Sequence, residues 1–268
     1  MILPPLRRRG AERVERMDAG EGSPEEIAEA YRLLDTVNQT LGGHRLTERA
    51  VAPFVTDLTD SLELDSDEPR RLEIVDVAGG DGAFAQRLRG QAARAGRDAR
   101  VTVVDLSPVA LSAMAPGVTA VRGDAFALPF ADRAVDLAHC SCFFHHLSTA
   151  GARDVLAEMC RISRRAVIVN DLVRSRVAAA SIWGLTRALV SNRLVRADGP
   201  LSVLKSFVPE ELLGIAHAVG LSEHPSFRWS IRRGFPYRMA LVGARVRGAG
   251  DGTGARSKEV ADTRVEQP

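Results

Sequence analysis

From residue 73 onward, apolar residues fall into two alternating kinds of segment. Short β-branched runs occur at 73–77 (EIVDV), 101–105 (VTVVD), 118–121 (VTAV), 134–138 (AVDLA) and 166–169 (AVIV). Between them lie segments in which apolar residues recur at helical spacing, such as Ala83 to about Ala95 with Gly96 as its stop, and Pro209–Val219 stopped by Gly220. Strands alternating with helices predict a parallel sheet covered on both faces. FRWSIRR and YRMALVGARV then read as a closing antiparallel hairpin about Gly234. The predicted fold is α/β, a Rossmann-like seven-stranded mostly parallel sheet with helices on both faces, a C-terminal antiparallel hairpin and a helical lid.

The lid is read from residues 23–62. In SPEE, Ser23 is a capping residue, Pro24 takes the first helical position and Glu26 completes a capping box. Ile27, Tyr31, Leu34, Val37 and Leu41 follow at helical spacing, ended by Gly42 and Gly43. A second amphipathic helix is expected from about Thr47 to Leu62. Residues 1–22 read as a mobile arm and 248–268 as a disordered tail, both aperiodic and charged. The sheet domain then spans 70–247, with a substrate-side helical insertion at 175–205 built on one apolar helix from about Val177 to Val195.

A length of 268 residues with 45% apolar content suits one large core. The formal charge of +2 gives no case for a nucleic-acid partner. Cys140, Cys142 and Cys160 lack metal-ligand spacing, so no metal is expected and a reduced, cytoplasmic setting is favoured. No apolar run is long enough for a membrane span, and a monomer or homodimer is expected.

The chemistry gathers where strands end. After Asp76 the chain places Gly79, Gly80 and Gly82 in one turn, whose amides and following helix favour a polar or anionic ligand. Asp105 ends the next strand just over twenty residues beyond the glycines, where a mononucleotide-binding unit places its ribose ligand. Asp124, His145, His146 and Asp171 also fall at or just past carboxyl ends of strands, the rim where such sheets bind ligands. A nicotinamide-dependent oxidoreductase is disfavoured, because the turn lacks G-x-G-x-x-G spacing and no hydride-transfer pair is evident.

EIVDVAGGDG, VTVVDLSP and RGDAFALPFADRAVDLAHCSCFFHHLS resemble successive motifs of class I S-adenosylmethionine-dependent methyltransferases. AYRLLDTVNQTLGG, VNDLVRSR and RADGPLSVLKSFVPEEL are similar to the small-molecule branch related to ubiquinone-biosynthesis and polyketide-synthase-associated methyltransferases, so the resemblance spans roughly residues 13–246. It implies S-adenosylmethionine as cofactor. Its methionine part would lie against Asp76, Ala78, Gly79, Gly80 and Gly82, and its ribose on Asp105. Leu106, Asp124, Ala125 and Phe126 would surround the adenine, with Asp124 at its amino group. Cys140 would sit where the backbone faces the methionine amine, and Tyr31 would close over the cofactor. Ala78 departs from the family, which usually has its first glycine there.

Methyl transfer needs in-line approach and proton removal. His145 or His146 is the candidate base, with Asp171 to orient it or to bind a substrate hydroxyl, although paired histidines could instead cap the next helix or fill space beside the adenine. Phe144, Arg174, Trp183 and Arg196 are the candidate substrate-binding residues, with Trp183 and Leu185 lining the acceptor pocket unless they serve core packing. The expected acceptor is a small hydroxylated aromatic or polyketide-type molecule methylated on oxygen. Carbon methylation and a non-catalytic cofactor-binding protein of the same fold are the alternatives.

Overall fold

The computed structural model describes residues 14–56 and 70–246. Seven strands form one sheet: β1 (Leu72–Val77), β2 (Ala99–Asp105), β3 (Thr119–Arg122), β4 (Val135–Ser141), β5 (Ser163–Leu172), β6 (Phe227–Gly234) and β7 (Arg238–Arg245). Their order is β3-β2-β1-β4-β5-β7-β6. The first five are parallel, and β7 enters antiparallel to β5 and β6. The switch in strand order falls between β1 and β4, which is where open sheets of this kind hold ligands.

Helices cover both faces because β1, β4 and β5 are apolar on both sides. On one face Val75, Val77, Cys140, Val167 and Val169 pack with Met159 of α5 (Thr149–Ile162) and Leu212 of α8 (Pro209–Ser222). On the other, Ile74, Leu137 and Ile168 pack with Leu88 of α3 (Ala83–Arg94) and with Val51 and Val55 of α2 (Gly43–Thr56). The helix α1 (Pro24–Thr40) begins as its sequence predicts, with a reciprocal Ser23–Glu26 capping box. A short helix, α4 (Pro108–Ser112), follows β2.

Three expectations change. The second lid helix starts at Gly43 rather than Thr47, because Gly42 adopts φ +75°, ends α1 and lets α2 begin at once. Its expected continuation over 57–62 lies outside the described residues. The single helix expected over Val177–Val195 is two, α6 (Arg176–Leu189) and α7 (Arg193–Lys205). Asn192 separates them by accepting from the Leu194 and Val195 amides, while its own amide group donates to Glu26 and Glu29 of α1.

The expected mobile arm also differs over its described part, 14–22. The Arg16 and Met17 amides donate to the Asp198 carboxylate of α7 at 3.0 and 3.1 Å, and Glu15 is buried. The remaining arm residues and the expected tail from 248 lie outside the described residues.

Candidate active site

At the carboxyl ends of β1 and β2 the glycine turn is held from beneath. Asp105 Oδ2 accepts the Gly80 amide at 2.9 Å and Oδ1 accepts the Ser107 amide at 2.8 Å. Gly82 caps α3 at φ +75°, against Met114. Ala78 stands at φ +54°, a left-handed conformation that a Cβ makes costly and that explains why the family usually has glycine there. Asp76 is buried, and its Oδ1 lies 2.7 Å from His139 Nδ1 on β4, its register neighbour.

Above the turn is a cleft of about 90 Å³ lined by Tyr31, Asp35, Asn38, His44, Asp76 and Gly79, among others. Tyr31 lies over Gly80, where an added Cβ would approach its ring to 3.2 Å. Burial and then the nearby Asp105 charge raise its hydroxyl to about 12. Burial, followed by the charges of Arg87 and Arg238, pushes His44 down to about 4. This surface fits an S-adenosylmethionine-type ligand: carboxylates, neutral donors and a bare glycine backbone share one concave face, and Asp105 holds the glycine turn through the Gly80 amide.

A second, apolar cavity of about 330 Å³ lies between α1, α6 and α7. Leu34 and Val37 of α1, Ile182 and Leu185 of α6, and Leu194 and Val195 of α7 supply its walls. Asn38 lines both cavities.

His145 and His146 line the apolar cavity but have different surroundings. They sit on a single 3₁₀ turn, Phe144–His146, which aims successive side chains in different directions. His145 is buried, its Nδ1 2.7 Å from Asp171 Oδ1 and its amide donating to Asp171 Oδ2 at 2.8 Å. Burial opposes ionisation of Asp171, but the His145 charge and hydrogen bonds from His145 and Leu172 outweigh it and lower its carboxyl. That pairing assigns the proton of neutral His145 to Nδ1 and leaves Nε2 as an acceptor. The Nε2 atom is 3.8 Å from Glu15 Oε1, itself 3.3 Å from Lys205 Nζ.

His146 instead spends Nδ1 on Asp18 Oδ2 at 2.6 Å. Burial disfavours its charge, but the Asp18 bond and the Glu15 charge raise its ionisation. Glu15, His145 and His146 bring ligand atoms within 4.8 Å of one another. Lys205 already neutralises Glu15 there, and a cation beside that ammonium would be repelled.

The other expected site residues divide. Leu106, Asp124 and Phe126 are exposed beside the glycine-turn end of the sheet, and Ala125 is buried beneath them. Asp124 accepts the Phe126 amide, and Phe126 lies against Gly151 at the start of α5. Cys140 is wholly buried, and burial with the Asp171 and Asp76 charges drives its thiol well up, so Ser141 is the β4 side chain that reaches the cleft.

The substrate-binding expectations need correction in four places. Phe144 is fully buried in the core, and Arg174 is buried in bonds to Glu211 and the Ser206 carbonyl. Trp183 is 53% exposed and stacks with Arg187, while Arg196 is exposed on α7 away from the cavity wall. Leu185 does line the cavity, with Ala178, Ser181 and Ile182 in one helical stripe that Trp183 does not share. Residues missed in the sequence are Asp35, Asn38, His44, His139 and Arg238. For His44 the signal was its place after the glycine pair, and for His139 its place one residue beyond the predicted end of β4.

No helix among the described residues is long and apolar enough to cross a membrane. Residues 74–166 match a family described as a methyltransferase domain. No curated protein sequence matches the chain. Among solved structures, an S-adenosylmethionine-dependent methyltransferase from Aquifex aeolicus aligns with TM-score 0.55 and 16% identity, covering 84% of this chain and 100% of that one. The plantazolicin methyltransferase BpumL, solved with a monoazolic desmethylPZN analog and SAH, gives 0.56 and 12%, covering 82% and 91%. A putative methyltransferase solved with the Haloferax volcanii Trm112 activator gives 0.52 and 14%, covering 85% and 100%. At these identities the likeness is one of fold, and it agrees with the domain match and with the glycine turn backed by Asp105. Residues 74–166 therefore carry a methyltransferase domain, set in a Rossmann-like seven-stranded methyltransferase fold.

Proposed function

We propose that the protein methylates a hydroxyl of a largely apolar aromatic small molecule, a phenol, resorcinol, quinol or polyketide-type ring, in secondary metabolism. The observation that carries this reading is the apolar cavity of about 330 Å³ that meets the glycine-turn cleft at Asn38. Its volume suits a small ligand, and its walls are predominantly apolar, with His145, Cys142, Asn38 and Arg238 among the polar groups that reach it.

In this reading Asp105 holds the ribose hydroxyls, Asp124 the adenine amino group, and Leu106, Ala125 and Phe126 flank the adenine. Asp76 and the segment Ala78–Gly80 face the methionine part, with Tyr31 closing over it. The cofactor, when bound, supplies an electrophilic methyl group. The chain's work is to orient the acceptor, exclude water and take a proton. His145 is the base: Asp171 fixes its ring, and Nε2 is the atom that receives the hydroxyl proton. His146 is not, because the Asp18 bond and the Glu15 charge favour its ionised form, which has no lone pair to take a proton.

The test is incubation with S-adenosylmethionine and a panel of alkylated phenols, resorcinols and quinols, with products identified by mass spectrometry and carbon NMR. A methoxy product is expected. A product methylated at ring carbon would reject oxygen as the acceptor atom, and no product from any member would reject the acceptor class.

A further inference from the structure

Arg238, the first residue of β7, has a guanidinium buried to 3% exposure on the wall of the apolar cavity. Its Nη1 donates to Cys142 Sγ at 3.1 Å and its Nη2 to Asn38 Oδ1. The Cys142 sulfur in turn lies 3.6 Å from Asn38 Oδ1. Among the described residues no carboxylate pairs with Arg238. A buried cation without a counter-charge is costly, and proteins retain one where a ligand supplies the missing charge.

Glu15 and the two histidines of the cavity are already paired, Glu15 with Lys205, His145 with Asp171 and His146 with Asp18, and Asp198 is held by the Arg16 and Met17 backbone amides. The fold also makes room for the guanidinium. A Cβ on Gly43 would lie 3.2 Å from Arg238 Cζ, so the bare backbone at the start of α2 is what admits it. Arg238 therefore offers a buried guanidinium with no carboxylate partner on the cavity wall, bonded to Asn38, the residue shared with the cofactor cleft.

We propose that Arg238 is the anion anchor for the acceptor, which carries a carboxylate or an ionised acidic phenol in addition to the hydroxyl that is methylated. The inference rests on the methyltransferase reading above and narrows its substrate class. The planar fork of arginine suits a carboxylate or phenolate oxygen, and a lysine would give a point charge without that geometry. The apolar walls take the rest of the ring and its substituent.

The test is calorimetric titration of the full chain, in the presence of S-adenosylhomocysteine, with para-hexylbenzoate, para-hexylbenzamide and a para-hexyl tetrafluorophenol that is ionised at neutral pH. Both anions are expected to bind at least about tenfold more tightly than the amide, as a desolvated charge-assisted contact should provide. Arg238→Gln should abolish that preference while leaving amide binding and the fold unchanged, and Arg238→Lys should retain part of it. The tighter of the two anions identifies the group. Equal binding of benzoate and benzamide by the wild type, or a preference that survives in Arg238→Gln, would overturn the proposal. If Arg238→Gln does not fold, the wild-type ligand series and Arg238→Lys decide. Binding of S-adenosylhomocysteine without any anion preference rejects only the anchor, whereas failure to bind it rejects the methyltransferase reading itself.

Discussion

His145 and Asp171 share two hydrogen bonds, one from the imidazole Nδ1 at 2.7 Å and one from the His145 backbone amide at 2.8 Å. The carboxylate therefore fixes both the ring and the segment that carries it. A base held this way cannot rotate to satisfy Nδ1 elsewhere, and its other nitrogen lies 3.8 Å from Glu15 Oε1 on a residue that lines the apolar cavity.

The pair predicts a kinetic split. His145→Ala should lower kcat on the order of a hundredfold while S-adenosylhomocysteine affinity stays within about twofold. Asp171→Asn should cost at least about tenfold, because the amide cannot accept from both donors as the carboxylate does. His146→Ala should change kcat less than about threefold. Steady-state kinetics on a hydroxylated aromatic acceptor checks all three, and equal losses at His145 and His146 would dissolve the assignment.

Asp105 supports the glycine turn and, in the proposed reading, also holds the ribose, so its removal should act twice. Asp105→Ala is expected to weaken S-adenosylhomocysteine binding at least tenfold, roughly 1.5 to 3 kcal/mol. Unchanged affinity in titration calorimetry would refute the ribose role.

Ala78 is strained at φ +54°. Ala78→Gly should relieve on the order of 1 kcal/mol of left-handed strain, offset in part by about 0.4–1 kcal/mol of unfolded-chain entropy. Urea denaturation should thus show a stability equal to or slightly above wild type, and a clear loss would show that the methyl group packs usefully.

The His146–Asp18 pair makes stability depend on pH. His146 has a raised ionisation, so its contribution is fully present below its unfolded value near 6.5 and is lost as pH rises through its folded value. Asp18 is lowered, mainly by the His146 bond acting against burial, so its contribution is present above about pH 4 and is lost as pH falls through its folded value. The stability gap between wild type and Asp18→Asn should be larger near about pH 5.5 than near about pH 8.5, by less than about 1 kcal/mol given the exposure of Asp18. Denaturation at the two pH values measures it, and a gap that widens with pH would contradict the pairing.

Much of this arrangement was legible in the chain. The β-branched runs, the Ser23 capping box and the glycine turn after Asp76 are local signals, and each lies where its pattern placed it. The fates of Phe144 and Trp183 were not legible from residue type. Phe144 precedes His145 on a tight turn that sends its ring into the core, and Trp183 falls out of phase with the Ala178–Leu185 stripe, a helical period that could have excluded it. Arg238 and Asn38 were missed for a different reason. They are 200 residues apart and meet only because β7 inserts antiparallel beside β5 while α1 packs on α2 and α7. The break at Asn192 depends on α1 in the same way, since its side chain bonds to Glu26 and Glu29.

The most direct test of the account is titration calorimetry of the wild-type chain with S-adenosylmethionine, S-adenosylhomocysteine and NADH in parallel. Micromolar binding of both adenosyl ligands, lost in Asp105→Ala and accompanied by no NADH binding, is the predicted result. Binding of NADH, or of none of the three, would contradict the assignment of the glycine-turn cleft.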